Sequence, residues 1–158
     1  MSLEIERKFL VDQSKWLALT KPEGRIYRQG YLNDTPARTI RVRIAGEHAY
    51  ITIKGPALNT IRHEFEFEIP AKDACEILDL FLPPQVEKIR YRILVDRKTW
   101  EADVFLGENE GLILAEIELT APDEYFTIPE WVTREVTEDP RYYNSYLASH
   151  PFNSWKTK

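Results

Sequence analysis

Charged side chains occupy one face of seven short segments in which polar and apolar residues alternate. The acids on this face are Glu4, Glu6, Glu64, Glu66, Glu68, Glu101, Asp103, Glu116 and Glu118, and the bases are Lys8, Arg41, Arg43, Lys54, Lys88, Arg90 and Arg92. Residues at positions i and i+2 of a β-strand lie on the same side, roughly 7 Å apart, so charges of one sign repel each other there. A surface selected only for solubility mixes the two signs. The same-sign blocks therefore favour a sheet whose interior holds a charged ligand.

The two signs select two different ligands. Carboxylates without His or Cys partners favour a hard cation such as Mg²⁺ or Mn²⁺. Pairs of arginines favour phosphate, because each guanidinium donates two parallel hydrogen bonds to its oxygens. Together these groups predict a metal-bound polyphosphate, in which the metal neutralises developing charge and positions an attacking water. The chain has no Gly-x-x-x-x-Gly-Lys-Ser/Thr segment, which excludes phosphate binding by a P-loop.

The same alternation predicts the elements that must position these side chains. A period of two residues indicates β-strands. An eighth run, over 25–32, places Tyr27, Gln29 and Tyr31 on one face, and apolar residues at helical spacing predict a helix over 72–82. Weaker helical patterns lie at 14–19, 123–126 and 144–149.

These elements predict an α+β fold with a closed eight-stranded antiparallel β-barrel and a few flanking helices. A barrel of eight strands has an interior about large enough for one small ligand. Its apolar outer face would need cover, and the helix over 72–82 is a candidate for part of it. The alternative is a β-sandwich in which the charged face is simply solvated, which is the usual meaning of alternating strands. Ser and Thr, the common residues of an exposed strand face, are nearly absent from the charged face.

Composition limits the class of protein. The 158 residues suit one domain, taken as 1–158, and 26 acids against 21 bases give a net charge of -5, which argues against a nucleic-acid partner. The single cysteine, Cys75, excludes an internal disulfide and a Cys-based zinc site. No apolar run reaches the roughly 20 residues of a membrane helix, and charges appear within the first residues. We therefore expect a soluble cytoplasmic protein without a membrane partner, as a monomer or a homodimer.

Seven elements in chain order resemble those of the CYTH, or triphosphate tunnel metalloenzyme, superfamily. The first is Glu4-Ile5-Glu6-Arg7-Lys8, which resembles a Glu-x-Glu-x-Lys signature. The others are Arg41-x-Arg43, Thr52-x-Lys54, Glu64-x-Glu66, Lys88-x-Arg90, Asp103 and Glu116-x-Glu118. The stretch 135–144 is similar to the small, single-domain bacterial members. The resemblance runs from Glu4 to about Leu147 and implies a tunnel of eight antiparallel strands in which a divalent metal supports hydrolysis of a triphosphate.

The resemblance also implies roles for individual residues. The implied metal ligands are Glu4, Glu6, Glu116 and Glu118, with Asp103 nearby. The implied phosphate-binding residues are Lys8, Arg41, Arg43, Lys54, Lys88 and Arg90, with Glu64 and Glu66 supporting them. Lys8 and Tyr31 are the candidate catalytic residues. Tyr31 matches a tyrosine proposed as a proton acceptor in bacterial members, but a tyrosine is a poor base near neutral pH. We expect Tyr31 to orient water or phosphate instead.

Inorganic tripolyphosphate is the expected substrate, because no nucleobase pocket is evident. Alternatives are a nucleoside or thiamine triphosphatase, a class IV adenylyl cyclase, or a polyphosphate- or nucleotide-binding module without turnover. Some family members close on the substrate with a C-terminal Lys, whereas this chain has no Lys between 99 and 155 and the next is Lys156. Arg134 and Arg141 are candidate replacements. By analogy with the family, we expect residues 131–144 to form a lid or plug at one mouth of the tunnel.

Overall fold

The computed structural model describes residues 2–155. Its strands are β1 (Ser2–Val11), β2 (Arg25–Thr35), β3 (Arg38–Ala45), β4 (His48–Lys54), β5 (Ile61–Ile69), β6 (Gln85–Val95), β7 (Lys98–Phe105), β8 (Ile113–Glu118) and β9 (Val132–Glu135). Its α-helices are α1 (Gln13–Ala18), α2 (Ala71–Phe81) and α3 (Asn144–Ser149). Short 3₁₀ turns lie at Gly107–Asn109, Pro140–Tyr142 and Phe152–Ser154. Lys156 lies outside the described residues.

Eight of the strands form a closed ring, which confirms the predicted architecture. The order around the ring is β1-β5-β4-β3-β2-β6-β7-β8 and back to β1, and every neighbouring pair is antiparallel. The long strand β1 closes the ring because it has two partners in succession. Its first part pairs with β5 and its middle part with β8. Charged residues at alternate positions therefore face the lumen and their apolar neighbours face outward.

A ninth strand, β9, lies outside the ring and was not predicted. It pairs with the end of β1 at Phe9 and Val11, across a shift in register. Its four residues are too few to carry a clear alternating signal. This pairing brings the polypeptide after β9 back toward the tunnel.

The outer face of the ring is covered by aromatic residues on one side and by α2 on the other. Trp100 lies against Phe9, with ring centroids 5.5 Å apart, and against Trp131 at 6.1 Å. Leu78 of α2 is fully buried in a cluster with Val42 of β3. The close approach of α2 requires a glycine at position 30, since a Cβ there would lie 2.6 Å from a methyl of Leu78. The prediction that a helix over 72–82 covers the ring is confirmed.

Two of the three weaker helix predictions are also confirmed, as α1 and α3. The third is wrong, because residue 123 lies in a turn and residues 124–126 have no regular secondary structure. The carboxylate of Glu124 accepts hydrogen bonds from the backbone and the hydroxyl of Thr120, which closes a local turn that competes with a helix. Glu124 also pairs with Lys98. No helix among residues 2–155 is long and apolar enough to cross a membrane.

Candidate functional site

The ring encloses a polar cavity of about 280 Å³. The predicted site residues that line it are Glu4, Glu6, Lys8, Tyr31, Arg41, Arg43, Lys54, Glu64, Glu66, Lys88, Arg90, Glu116 and Glu118. Only Asp103, of the predicted residues, is not part of the lining. Arg92 and Glu101 lie at one end of the same cavity. The alternation along the strands therefore brings these charges together around one space, and the solvated-face alternative does not hold for them.

Acids and bases face each other across this cavity. We call Glu4, Glu6, Glu116 and Glu118, on the neighbouring strands β1 and β8, the acidic wall. We call Arg41, Arg43, Lys88 and Arg90, on the strands β3 and β6 that flank β2, the basic wall. In a ring of eight strands β2 lies four places from β1, so the two walls are opposite. Lys8 belongs to β1 and Lys54 to β4, and each pairs with an acid of the acidic wall.

The carboxylates of the acidic wall differ in how readily they ionise. Burial, with the nearby carboxylates of Glu116 and Glu4, raises the pKa of Glu6 well above its ordinary value. Burial and the carboxylates of Glu4 and Glu64 also raise the pKa of Glu118. Burial opposes ionisation of Glu116 too, but Lys8 and Arg90, each 3.3 Å away, hold its pKa far below the usual range. Lys54 likewise keeps the pKa of Glu4 below its ordinary value. The wall thus contains two acids held ionised by cations, Glu4 and Glu116, beside two that lack enough positive charge, Glu6 and Glu118.

The basic wall shows the same crowding with the opposite sign. Burial and the neighbouring guanidiniums of Arg41 and Arg90 lower the pKa of Arg43 to about 10. Burial lowers the pKa of Lys88 to about 7, with Arg90 and Arg43 acting in the same direction against the attraction of Asp103. Arg43 therefore stays charged at neutral pH, whereas Lys88 titrates there. Excess positive charge on this wall favours an anion in the cavity.

Asp103 lies behind the basic wall. Its side chain is 2% exposed. It accepts two parallel hydrogen bonds from Arg90, at 2.7 and 2.8 Å, and its Oδ2 lies 2.8 Å from Nζ of Lys88. Both carboxylate oxygens are thus engaged by the two cations that line the cavity. This arrangement orients Arg90 and Lys88 and neutralises part of their charge.

The two predicted supporting acids lie beside bases of the tunnel. Glu66 accepts a 2.7 Å hydrogen bond from the hydroxyl of Thr52 and lies 3.5 Å from a guanidinium nitrogen of Arg41. Glu64 lies 3.7 Å from Nζ of Lys54. Burial opposes ionisation of Glu4, but Lys54, at 2.9 Å, keeps its pKa below the ordinary value. These contacts fit a supporting role for both acids.

The segment after β9 covers one end of the cavity. The backbone carbonyl of Tyr142 accepts a 3.0 Å hydrogen bond from Nζ of Lys8, and Oδ1 of Asn144 accepts one of 2.9 Å from Nζ of Lys88. Thr137, Tyr143, Asn144 and Ser145 line the cavity, whereas residues 132–135 form β9 on the outside. The part of the expected plug that reaches the tunnel therefore follows β9.

Neither candidate replacement for the C-terminal Lys lies in the cavity lining. Arg141 pairs with Asp139 at 2.7 Å with its side chain 54% exposed. Arg134 is exposed on β9. Within residues 2–155, the C-terminal segment contributes amide, hydroxyl and phenol groups to the cavity instead of a cation.

Several lining residues were not predicted as site residues. Arg62 is in phase with Glu64 and Glu66, so extending that alternating run by two residues would have found it. Thr52 was seen only as part of a motif. Gln29 contacts lining residues without lining the cavity itself, and it was seen only as part of the face that carries Tyr31. Asn144 was seen only as the last residue of the stretch 135–144 and the first of the weak helical pattern at 144–149, and was given no role, because its position depends on how the chain returns from β9.

The donor set of the acidic wall fits a hard divalent cation. All of its donors are carboxylate oxygens, which Mg²⁺, Mn²⁺ and Ca²⁺ prefer. The repulsion that raises the pKa values of Glu6 and Glu118 is the kind that a bound cation relieves. No three acidic, His or Cys side chains among residues 2–155 are already gathered into a metal cluster, so binding would draw the carboxylates together.

A closed antiparallel ring with opposed acidic and basic walls defines a tunnel protein that binds a polyanion. Comparison with known sequences agrees, because the CYTH domain profile matches residues 2–145. The chain therefore belongs to the CYTH domain family.

Relatives cover nearly the whole chain. A protein of Acetivibrio thermocellus called inorganic triphosphatase is 45% identical over 157 residues, which are 99% of each chain. Another of that name, from Nitrosomonas europaea, is 37% identical over 92% of this chain and 96% of its own. A crystal structure of an inorganic triphosphatase superposes with a TM-score of 0.63 at 35% identity, over 94% of this chain and 95% of the other.

Proposed function

We propose that this protein is an inorganic triphosphatase, which hydrolyses tripolyphosphate inside the tunnel with the help of a divalent metal ion. The observation that carries the proposal is the opposition of the two walls around one cavity. An anion and its counter-cation can bind there side by side, each on the wall of opposite charge. The two relatives named inorganic triphosphatase, which match almost the full chain, support the same activity.

We assign substrate binding to the bases of the cavity. Arg41, Arg43 and Arg90 offer guanidinium groups, which match phosphate oxygens in pairs. Lys8, Lys54 and Lys88 add ammonium groups, the first two from the further strands β1 and β4 and the third from β6 beside Arg90. Because the bases surround the cavity, each phosphate of a short linear chain finds more than one donor. In this arrangement we assign Asp103 to orienting Arg90 and Lys88, since both of its oxygens are already engaged.

We assign metal binding to the acidic wall, with Mg²⁺ or Mn²⁺ as the expected ion. Such an ion, when bound, neutralises charge on the phosphates. Glu6 and Glu118 are the acids that gain most from a cation, because neighbouring carboxylates disfavour their ionisation. Glu116 lies between Lys8 and Arg90 and so joins the acidic wall to substrate-binding bases.

The reaction needs little covalent chemistry from the protein. Water attacks a terminal phosphorus, a new P–O bond forms, and the bond to the bridging oxygen breaks, so that phosphate and pyrophosphate leave and the water's proton passes to solvent. The protein's contribution is to position the phosphates and to stabilise charge on their oxygens. Lys8 and Tyr31, at the covered end of the cavity, are placed to contact the reacting group.

The lining also favours an inorganic substrate over a nucleotide. Most lining side chains are charged, hydroxyl or amide groups, and within the described residues Ala57 is the only aliphatic one. Pockets for organic groups are usually lined mainly by apolar and aromatic residues. A nucleobase or a thiamine ring would therefore find little surface to pack against inside the tunnel.

A substrate panel tests the proposal. Phosphate release from tripolyphosphate, ATP and thiamine triphosphate is measured side by side with Mg²⁺, Mn²⁺ and no metal. We expect the highest kcat/KM for tripolyphosphate and a strict requirement for metal. Preference for ATP would contradict the substrate, and formation of cyclic AMP without phosphate release would contradict hydrolysis altogether.

A further inference from the structure

One buried amide joins residues of the neighbouring strands β2 and β3 to the segment that covers one end of the tunnel. Gln29 of β2 has no exposed surface. Its Oε1 accepts a 2.9 Å hydrogen bond from Nε of Arg43, and its Nε2 donates to the hydroxyl of Tyr31 at 2.6 Å and to Oδ1 of Asn144 at 3.4 Å. A buried amide is costly unless its polar atoms are paired. All three partners of this amide line the cavity.

The direction of these hydrogen bonds follows from the chemistry of the partners. A guanidinium can only donate, so Arg43 must face the oxygen of the Gln29 amide and not its nitrogen. The nitrogen of Gln29 is thereby turned toward Tyr31 and Asn144. Lys88 also can only donate, so the oxygen of Asn144 faces both Lys88 and the Gln29 nitrogen. Arg43 thus fixes the Gln29 amide at its oxygen, and Lys88 fixes it at its nitrogen through the oxygen of Asn144.

This direction determines what the hydroxyl of Tyr31 can do. Its oxygen accepts a hydrogen bond from Gln29, so its own proton is left to donate to another acceptor. Tyr31 lines the cavity in which the phosphates would lie. We infer that Gln29 is a positioning residue, which fixes Tyr31 as a hydrogen-bond donor to the bound triphosphate while it holds Arg43 in place. The inference rests on the proposed function and assigns no proton abstraction to Tyr31.

A double-mutant cycle tests whether Gln29 acts through Tyr31. Gln29→Met keeps the length of the side chain and removes all three hydrogen bonds of the amide, and Tyr31→Phe removes the hydroxyl alone. We expect each single variant to lower kcat for tripolyphosphate by about 10- to 100-fold, the size expected for a hydrogen bond to a charged group. The double variant should be at most about threefold slower than the slower single variant, because neighbours that share one interaction are not additive.

Gln29→Glu separates the contact of the amide oxygen with Arg43 from the contacts of the amide nitrogen. A carboxylate still accepts from Arg43, but it has no N–H to donate, so the hydroxyl of Tyr31 would turn its proton toward position 29. We expect this variant to lose as much of kcat as Gln29→Met. Turnover near the wild-type rate would overturn the inference and leave only support of Arg43. Additive effects in the cycle would also overturn it.

Gln85 offers a matched control on β6. Its Oε1 accepts from Nε of Arg28 at 3.0 Å and its Nε2 donates to the carbonyl of Leu78 at 2.8 Å, the same kind of pairing outside the cavity. Gln85→Met should lower the melting temperature without changing kcat or KM. A loss of kcat in Gln85→Met equal to that in Gln29→Met would show a general effect on the fold and overturn the positioning role.

The same variants distinguish this inference from the proposed function. If the wild type binds tripolyphosphate without hydrolysing it, the proposed function fails, and the cycle is then run on Kd measured by calorimetry. Non-additive losses in Kd would still support the inference, and additive losses would overturn it. A wild type that neither binds nor hydrolyses tripolyphosphate overturns both.

Discussion

The acidic and basic walls carry the same defect, an excess of like charge, but they differ in how far protons can correct it. On the acidic wall, burial and neighbouring carboxylates raise the pKa values of Glu6 and Glu118. On the basic wall, burial and neighbouring cations lower the pKa of Lys88 to about 7 and that of Arg43 to about 10, which leaves Arg43 charged at neutral pH. The arginines of the basic wall therefore keep their demand for an anion at neutral pH, whereas the carboxylate wall exchanges protons for a metal.

One contact joins the walls and explains why the tunnel is not simply divided in two. Glu116 of the acidic wall lies 3.3 Å from a nitrogen of Arg90 of the basic wall, and it lies the same distance from Nζ of Lys8 on β1. Behind the basic wall, Asp103 supplies the matching negative charge for Arg90 and Lys88. These buried pairs fix the geometry, since removing one partner would leave an uncompensated charge. The charges of the two walls that these pairs do not compensate are those that a metal and a triphosphate would neutralise.

The largest effect should come from removing a carboxylate of the acidic wall. Glu6→Gln or Glu118→Gln takes away an oxygen ligand while keeping the shape of the side chain. We expect metal-dependent hydrolysis of tripolyphosphate to fall by about 100- to 1000-fold, because metal binding contributes several kcal/mol to charge stabilisation. The measurement is kcat/KM over a range of Mg²⁺ and Mn²⁺ concentrations, with the fold checked by circular dichroism.

Glu87→Gln is the matched control for this wall. Glu87 lies on β6 with its side chain exposed, outside the cavity lining. Its substitution should leave kcat/KM unchanged. A Glu6→Gln variant that keeps the wild-type rate at every metal concentration would remove Glu6 from the metal site.

A smaller effect is expected on the basic wall, because several bases share the substrate. Arg41→Ala removes one guanidinium whose other contacts are Thr52 and Glu66. We expect KM for tripolyphosphate to rise and kcat to fall, together by about 10- to 100-fold in kcat/KM. Arg41→Lys should recover only part of this loss, since an ammonium cannot form the paired hydrogen bonds of a guanidinium.

Arg38 provides the comparison on the same strand, because its side chain is exposed. Arg38→Ala should leave the kinetics unchanged at moderate ionic strength. If Arg41→Ala behaves like Arg38→Ala, the basic wall binds the substrate without Arg41.

Lys88 is the member of the basic wall that should respond to pH. Its pKa is lowered to about 7 by burial and by Arg90 and Arg43. At pH 8 it is therefore mostly neutral in the free protein, and a bound polyanion should restore its charge. We expect tripolyphosphate binding at pH 8 to take up close to one proton, and at pH 6 to take up fewer.

Calorimetry in two buffers with different ionisation enthalpies measures this proton uptake. The protons that tripolyphosphate itself exchanges are subtracted by comparing wild type with Lys88→Met, which should lack the extra uptake. Lys72→Met, on the exposed part of α2, serves as the control and should match the wild type. Equal uptake in all three proteins would show that Lys88 does not change its charge on binding.

The sequence reveals the two walls of the cavity more readily than the segment that covers one end of it. Alternation of charged and apolar residues predicts the strands and the inward direction of Arg41, Arg43 and Glu116, because side chains on a strand alternate between two faces. It cannot distinguish a residue that lines the cavity from one that lies behind it. Asp103 shares the charged face, yet it is turned into ion pairs with Lys88 and Arg90.

The covered end depends on contacts between residues far apart in the chain. Asn144 meets Lys88 across 56 positions, and Tyr142 meets Lys8 across 134. These contacts exist because β9 pairs with β1 and turns the chain back over the tunnel, a pairing of four residues with little pattern of its own. Gln29 was placed on the correct face, but its role depends on partners that only the assembled ring supplies.

The smallest expected effect is a pH-dependent change in stability that distinguishes two acids of the same wall. Glu6 has a folded-state pKa above its ordinary value, so in metal-free protein its contribution to the free energy of unfolding is present at low pH. That contribution is lost as pH rises through the folded pKa. Glu116 has a lowered pKa, so its contribution is present above its ordinary value of 4.5 and is lost as pH falls below it.

Urea unfolding of metal-free wild type and Glu6→Gln at several pH values separates these two windows. Between the ordinary and the raised pKa of Glu6, the folded state holds more protons, so wild-type stability should decline with rising pH. The slope of the free energy of unfolding against pH cannot exceed about 1.4 kcal/mol per pH unit when one proton is involved. Glu6→Gln should not show this decline, but should still lose stability as pH falls below 4.5, where the unfolded chain binds a proton at Glu116 and the folded state does not. Parallel curves for the two proteins would mean that the acidic wall is not crowded in the metal-free state, and its contrast with the basic wall would then disappear.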